Sequence, residues 1–97
     1  MLIYIVQGST GEYSDHTEWL VKAFDSESLA QTYAEKCGEE FRRMVNEYRS
    51  KAACDDYPTS FDLDEHNIKQ NAHDPDMQCD YTGTNYNVHV CELEVGK

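Results

Sequence analysis

SESLAQTYAEKCGEEFRRMVNEYRSKA, residues 26–52, is the stretch from which the fold is read. Apolar side chains recur in it at Leu29, Tyr33, Cys37, Phe41, Val45 and Tyr48, with Ala30, Ala34 and Met44 beside them. That spacing winds onto one face of an α-helix and makes a stripe that a sheet can cover. Asp25 and Ser26 can accept from the free N–H groups of the first turn, and Glu27 lies at the positive end of the helix. Arg49 and Lys51 lie near its negative end. Gly38 costs about 1 kcal/mol relative to alanine in such a helix. The apolar pattern runs on through it, so one continuous helix is predicted.

Upstream, Leu2–Gln7 is short, apolar and rich in β-branched and aromatic residues, which predicts a strand buried on both faces. Gly8–His16 has the glycines, hydroxyls and acids of a turn. Thr17–Phe24 alternates Trp19, Val21 and Ala23 with Glu18, Leu20 and Lys22, a second strand pairing antiparallel with the first. Downstream, residues 54–80 contain both prolines, Pro58 and Pro75, and show no period. Phe61, Leu63 and Ile68 are the strong apolar anchors there, with room for a short strand or helical turn around Ser60–Gln70. Tyr81–Val95 follows a Thr82-Gly83 turn and reads as a third strand through Tyr86, Val88, Val90, Leu93 and Val95.

The chain is therefore one α+β domain over residues 1–97. A small antiparallel sheet, in the order strand–strand–helix–strand, carries one long helix on one face. The third strand most simply lies beside the first. Leu29, Tyr33, Phe41, Val45 and Tyr48 should meet the sheet through Ile3, Ile5, Val21, Val88 and Val90 or their alternating neighbours.

The net charge of the 97 residues is −11. Between residues 52 and 80 there are eight acids, Asp55, Asp56, Asp62, Asp64, Glu65, Asp74, Asp76 and Asp80, against Lys69 alone. Direct binding to a nucleic-acid backbone is not expected, because phosphate contacts need clustered lysine and arginine. A basic protein or nucleoprotein partner is the electrostatic complement. Those eight acids, joined by Glu12, Tyr13 and Asp15 of the first loop, are the candidate partner-binding residues. Tyr57 and Tyr81 stand among the same acids and offer rigid contact area with a polar tip.

Catalytic and metal chemistry finds little footing. Cys37, Cys54, Cys79 and Cys91 have no close zinc-type spacing and read as free thiols. A calcium loop begun at Asp62 meets Asn67 where glycine is required and His73 where glutamate is required; one begun at Asp74 meets Cys79 at the glycine position. No G-x-S-x-G elbow occurs, and Gly8-Ser9-Thr10-Gly11 lacks the lysine and helix of a phosphate loop. No enzyme activity, metal or cofactor is expected. A small cation-dependent enzyme or binding module built on the aspartates is the alternative, as is a structural or regulatory accessory protein. Met1–Val6 lacks a signal peptide's basic start and cleavage site, and no run approaches the about 20 apolar residues of a membrane span, so a cytoplasmic protein is expected.

Two stretches, Gly8-Ser9-Thr10-Gly11-Glu12-Tyr13-Ser14-Asp15 with Trp19 following, and Asp80-Tyr81-Thr82-Gly83-Thr84 with Tyr86, resemble small proteins of bacteriophages and prophages. The resemblance covers a small part of the chain and implies a setting: a phage accessory protein in a bacterial cytoplasm. By analogy, small acidic phage proteins include inhibitors of host defence of the anti-CRISPR and anti-restriction type. The expectation is an acidic inhibitor that occupies a basic surface of a host nucleic-acid-processing or defence complex.

Overall fold

The computed structural model describes residues 1–12, 14 and 16–92. Tyr13 and Asp15 of the first loop, and Leu93 and Val95 of the expected third strand, lie outside the described residues. The elements are β1 (Leu2–Thr10), β2 (Thr17–Phe24), α1 (Glu27–Ala52), α2 (Ser60–Glu65) and β3 (Thr84–Glu92). The sheet order is β2-β1-β3, with both pairings antiparallel. One long helix lies on one face of it, an α+β architecture with β3 beside β1. Among the described residues no helix is long and apolar enough to cross a membrane.

Helix α1 starts where the sequence caps it. Ser26 is extended and its hydroxyl accepts from the Leu29 N–H, while Ala53 closes the helix in the left-handed region. The buried stripe is Ala30, Ala34, Cys37, Phe41, Met44, Val45 and Tyr48. Leu29, expected on that stripe, is 55% exposed. Ala30 occupies the contact position instead, and its small side chain lets the backbone approach Val6.

Strand β1 differs from expectation in two ways. It runs three residues further, through Gly8 to Thr10. Gly8 belongs to the strand because the Trp19 ring lies flat on it; a Cβ at Gly8 would stand 2.4 Å from Trp19 Cε2. It is also covered on one face only. Tyr4, Val6, Gly8 and Thr10 share the helix face, whereas Ile3 and Ile5 are half-buried on the uncovered face.

The alternation predicted for β2 breaks at a bulge. Gln7 pairs with Leu20 and Val6 with Lys22, which leaves Val21 unpaired. Trp19 and Val21 still pack toward the helix, but beyond the bulge the phase reverses. Ala23 pairs with Ile5 on the open face, and Phe24 packs against Tyr33 with ring centroids 5.5 Å apart. On β3, Val88 packs into the core, whereas Val90, expected inside, is exposed on this outer strand of the sheet and belongs to neither core cluster.

The core has two halves. Val6, Ala30 and Ala34 form the sheet–helix contact, with Tyr4, Val21, Phe24, Tyr33, Tyr86 and Val88 around them. The second half of α1 is covered chiefly by the segment after it. Phe41, Met44, Val45 and Tyr48 pack with Leu63, Ile68, Met77 and Cys79. Residues 54–80 are thus a cover over the helix, with α2 inside it; Phe61, expected to anchor it, is exposed. Polar groups pin this cover. The Asn71 amide donates to the Cys37 carbonyl at 3.1 Å and accepts from the His73 N–H at 2.9 Å. Tyr33 donates to the His73 carbonyl. Arg43 and Lys51 donate to the carbonyls of Lys69 and His66. Burial pushes the thiols of Cys37 and Cys79 up to about 11, so both are neutral core side chains at physiological pH.

Candidate functional site

The structure divides the eight acids of the 54–80 segment by what they touch. Three do structural work. Asp74 is 1% exposed and is not part of a surface, contrary to its sequence-based assignment. Its Oδ2 accepts from Trp19 Nε1 and from the Tyr86 hydroxyl, each at 2.8 Å, and its Oδ1 accepts from the Asp76 N–H. A buried carboxylate demands such donors, and here they come from β2, β3 and its own turn. The Tyr86 phenol is pushed far up, first by burial and then by its bond to Asp74, so it remains a donor.

Asp62 caps α2. The Thr59 hydroxyl accepts from the Asp62 N–H at 3.2 Å, and the Asp62 carboxylate accepts from the Thr59 N–H at 3.0 Å. This reciprocal pair satisfies two donors at the helix start. Asp80 holds the turn that leads into β3, accepting from the N–H and hydroxyl of Thr82.

That turn is tied to the end of β1. The Thr10 hydroxyl donates to the Gly83 carbonyl at 2.7 Å and accepts from the Asp80 N–H at 3.0 Å. The Gly11 N–H donates to the Thr82 hydroxyl at 3.1 Å. The end of β1 and the Asp80–Gly83 turn therefore bond to one another, and Thr10 and Asp80 form a structural clasp. Thr82 is the main cause holding the Asp80 carboxyl below its ordinary 3.8. A carboxyl lowered on folding stabilises the native state above its unfolded value, and that contribution is lost as pH falls through the folded value. Asp80→Asn is accordingly expected to be less stable than the parent at neutral pH. The two stability curves should converge in acid, below about pH 4. Urea unfolding across the pH range checks this, and parallel curves would contradict it.

The remaining acids of the segment are exposed: Asp55, Asp56, Asp64, Glu65 and Asp76. They are not one cluster. Asp55 and Asp56 line a recess of about 410 Å³ together with Asp62, Tyr48, Tyr57, Tyr81, Thr59 and Arg49. Asp64 lines a smaller depression on the other side of α2 with Ser60, Leu63, Gln70 and Met77. Glu65 and Asp76 line neither, and Glu12 is exposed on the first loop.

The recess forms where the end of α1, the chain leaving it, the start of α2 and the turn before β3 converge. Tyr57 forms one wall of it. Its ring stacks on Phe41 at 6.2 Å, lies within van der Waals reach of a Cβ built at Gly83, and carries the Arg49 guanidinium 5.0 Å from its centroid. The Arg49 Nε is buried without a hydrogen-bond partner, and Arg49 makes no ion pair among the described residues. Tyr81 stands opposite as an exposed ring. The Tyr48 hydroxyl is pushed up to about 12, chiefly by the neighbouring Cys54 thiol and then by burial, and stays neutral. The lining thus holds three carboxylates against one guanidinium, among three phenol rings.

Sequence reasoning singled out Asp55, Asp56, Asp62, Tyr57 and Tyr81 of this recess. It missed that Tyr48 and Arg49 complete it, because both had been assigned to the helix alone. Among the described residues no group of three His, Cys, Asp or Glu side chains is arranged to hold a metal ion. Compared with protein families, curated proteins and solved structures, the chain has no match.

Proposed function

We propose that this is a non-enzymatic acidic binding protein whose Asp55–Tyr57–Asp62–Tyr81 recess takes a lysine or arginine side chain of a basic partner. The observation that carries the proposal is the convergence of three carboxylates and three tyrosine rings in one recess. Tyrosine faces attract cations, and the bound Arg49 is an internal instance of that contact. The carboxylates supply charge-assisted acceptors for a guanidinium or ammonium. Away from the recess, the exposed Asp64, Glu65 and Asp76 add to the net negative charge, which speeds encounter with a positive surface. A protein of this kind occupies basic grooves that otherwise hold phosphate. The resemblance to phage proteins is the ground for setting the partner in a bacterial host, in a nucleic-acid-processing or defence complex, with the protein acting in the cytoplasm as its inhibitor.

The test compares two variants that each remove two charges. Asp55→Asn/Asp56→Asn strips the recess, and Asp64→Asn/Glu65→Gln strips the opposite side of α2. None of the four side chains caps a helix or turn, so both variants should unfold within about 0.5 kcal/mol of the parent. With a fluorescent arginine-rich peptide as probe, the recess variant should weaken binding about tenfold or more, a loss of about 1.4 kcal/mol. The other should mainly slow association at low salt. Equal losses in both would mean that net charge alone, and not the recess, governs binding.

A further inference from the structure

We propose that the β3 edge is the seam of a homodimer. Two copies pair β3 antiparallel about a two-fold axis near Tyr86, making one six-stranded sheet with both α1 helices on the same side. Arg42 of each copy then meets Glu35 of the other.

The two edges of the sheet are built differently. β2 is guarded: it is bulged at Val21 and carries Glu18 and Lys22. β3 pairs with β1 in unbroken register over all nine of its residues, and contains no proline or lysine. Its one acid, Glu92, stands at the end. A long, regular edge without such guards is a template for another strand. In a chain of net charge −11 it is also the edge with the least self-repulsion.

Gly38 is the second observation. It sits inside α1, where glycine weakens the helix. A Cβ built there would meet nothing closer than Arg42 Nη1 at 3.6 Å, so packing within the chain does not require glycine. Gly38 borders a groove of about 300 Å³ between α1 and β3, with Ala34, Phe41, Thr84 and Tyr86. A missing side chain at that place leaves room for close approach from outside the chain.

The third observation selects a second copy as the occupant. Glu35 and Arg42 rim the same groove on either side of Gly38. Both are exposed, and neither has an ion-pair partner among the described residues. The adjacent Arg43 is fully engaged with Glu40 and Glu47. A two-fold axis passing near Gly38 exchanges the positions of Glu35 and Arg42 between antiparallel helices. This surface is therefore complementary to itself, as an isologous interface must be. A foreign strand would need no such symmetry.

Sedimentation equilibrium of the full chain tests the proposal. The mass should rise toward twice that of the chain with concentration, more readily at high salt, where the net charge is screened. Arg42→Glu and Glu35→Arg should each raise the dimer dissociation constant about tenfold or more, and the double exchange should restore it. Gly38→Ala should weaken the dimer while raising the thermal midpoint of the monomer, a split that simple damage to the fold does not produce. A monomer at every concentration overturns the proposal. So does a dimer indifferent to Arg42→Glu, or one that the double exchange fails to restore.

Discussion

Asp74→Ala is expected to destabilise the protein by about 3–5 kcal/mol. The substitution removes the acceptor of the Trp19 indole N–H and of the Tyr86 hydroxyl, both part-buried. Each lost bond to a charged group is worth about 1.5–3 kcal/mol. The Asp76 N–H loses its partner as well, and the turn that presents Met77 to the core is loosened. A domain of this size has a total stability of about 5–15 kcal/mol, so most of it can disappear with one side chain. Trp19 is the chain's single tryptophan, and its fluorescence reports the transition directly. Asp74→Asn, which retains one carbonyl oxygen, should fall between parent and alanine. A loss under about 0.5 kcal/mol for Asp74→Ala, the range of ordinary surface changes, would mean that the carboxylate is not the hub described.

Gly8→Ala carries an expected loss of similar size. The added Cβ would stand within 2.7 Å of three Trp19 ring atoms, and one of them, Nε1, is fixed by its bond to Asp74. Overpacking of this kind costs about 1–3 kcal/mol. Displacing the indole also breaks its bond to Asp74, about 1.5–3 kcal/mol more. The two positions must then be non-additive. In a Trp19→Leu background, where the ring is absent, Gly8→Ala should cost less than about 1 kcal/mol. Full cost in that background would assign the glycine to backbone conformation and not to the tryptophan.

Both predictions concern features that the sequence hides, and the reason is physical. The helix was legible because a buried stripe at 3.6-residue spacing is a repeated signal. The pairing of β1 with β2 followed from their short connection, and β3 beside β1 was the simplest remaining arrangement. The 54–80 cover was not legible, because its apolar anchors Leu63, Ile68, Met77 and Cys79 are irregularly spaced. Single polar contacts at Asn71 and Asp74 hold it down. Nothing local distinguishes Asp74 from Asp76, although one is buried and the other exposed. Gly8 carried a misleading signal, since glycine marks turns far more often than a strand position under an aromatic ring. The bulge at Val21 reversed the phase of β2, so alternation predicted Trp19 and Val21 correctly and Ala23 incorrectly. Of the candidate site, the residue types were visible and their partition was not. Asp62 and Asp80 look like their neighbours until the capping partners Thr59 and Thr82 are seen in place.

The partition also changes what acidity means in this chain. Like charges crowded into one segment repel one another, so a role outside folding was the natural reading. Asp62, Asp74 and Asp80 instead have folding roles, and their charge is tolerated because each is met by hydrogen-bond donors. Asp55 and Asp56 have no bonded donor among the described residues. They stand beside tyrosine rings at the mouth of the recess, and a binding role for the segment concentrates on them.

The most direct measurement is a backbone amide NMR titration with an arginine-rich peptide, run in parallel on the parent and on Asp55→Asn/Asp56→Asn. The largest shifts are predicted at residues 48–49, 55–62 and 81, and they should be lost in the double variant while its spectrum remains that of the folded protein. Shifts centred on Asp64, Glu65, Asp76 or the glutamates of α1, or shifts unaltered by the double substitution, would contradict the assignment of the recess as the binding site.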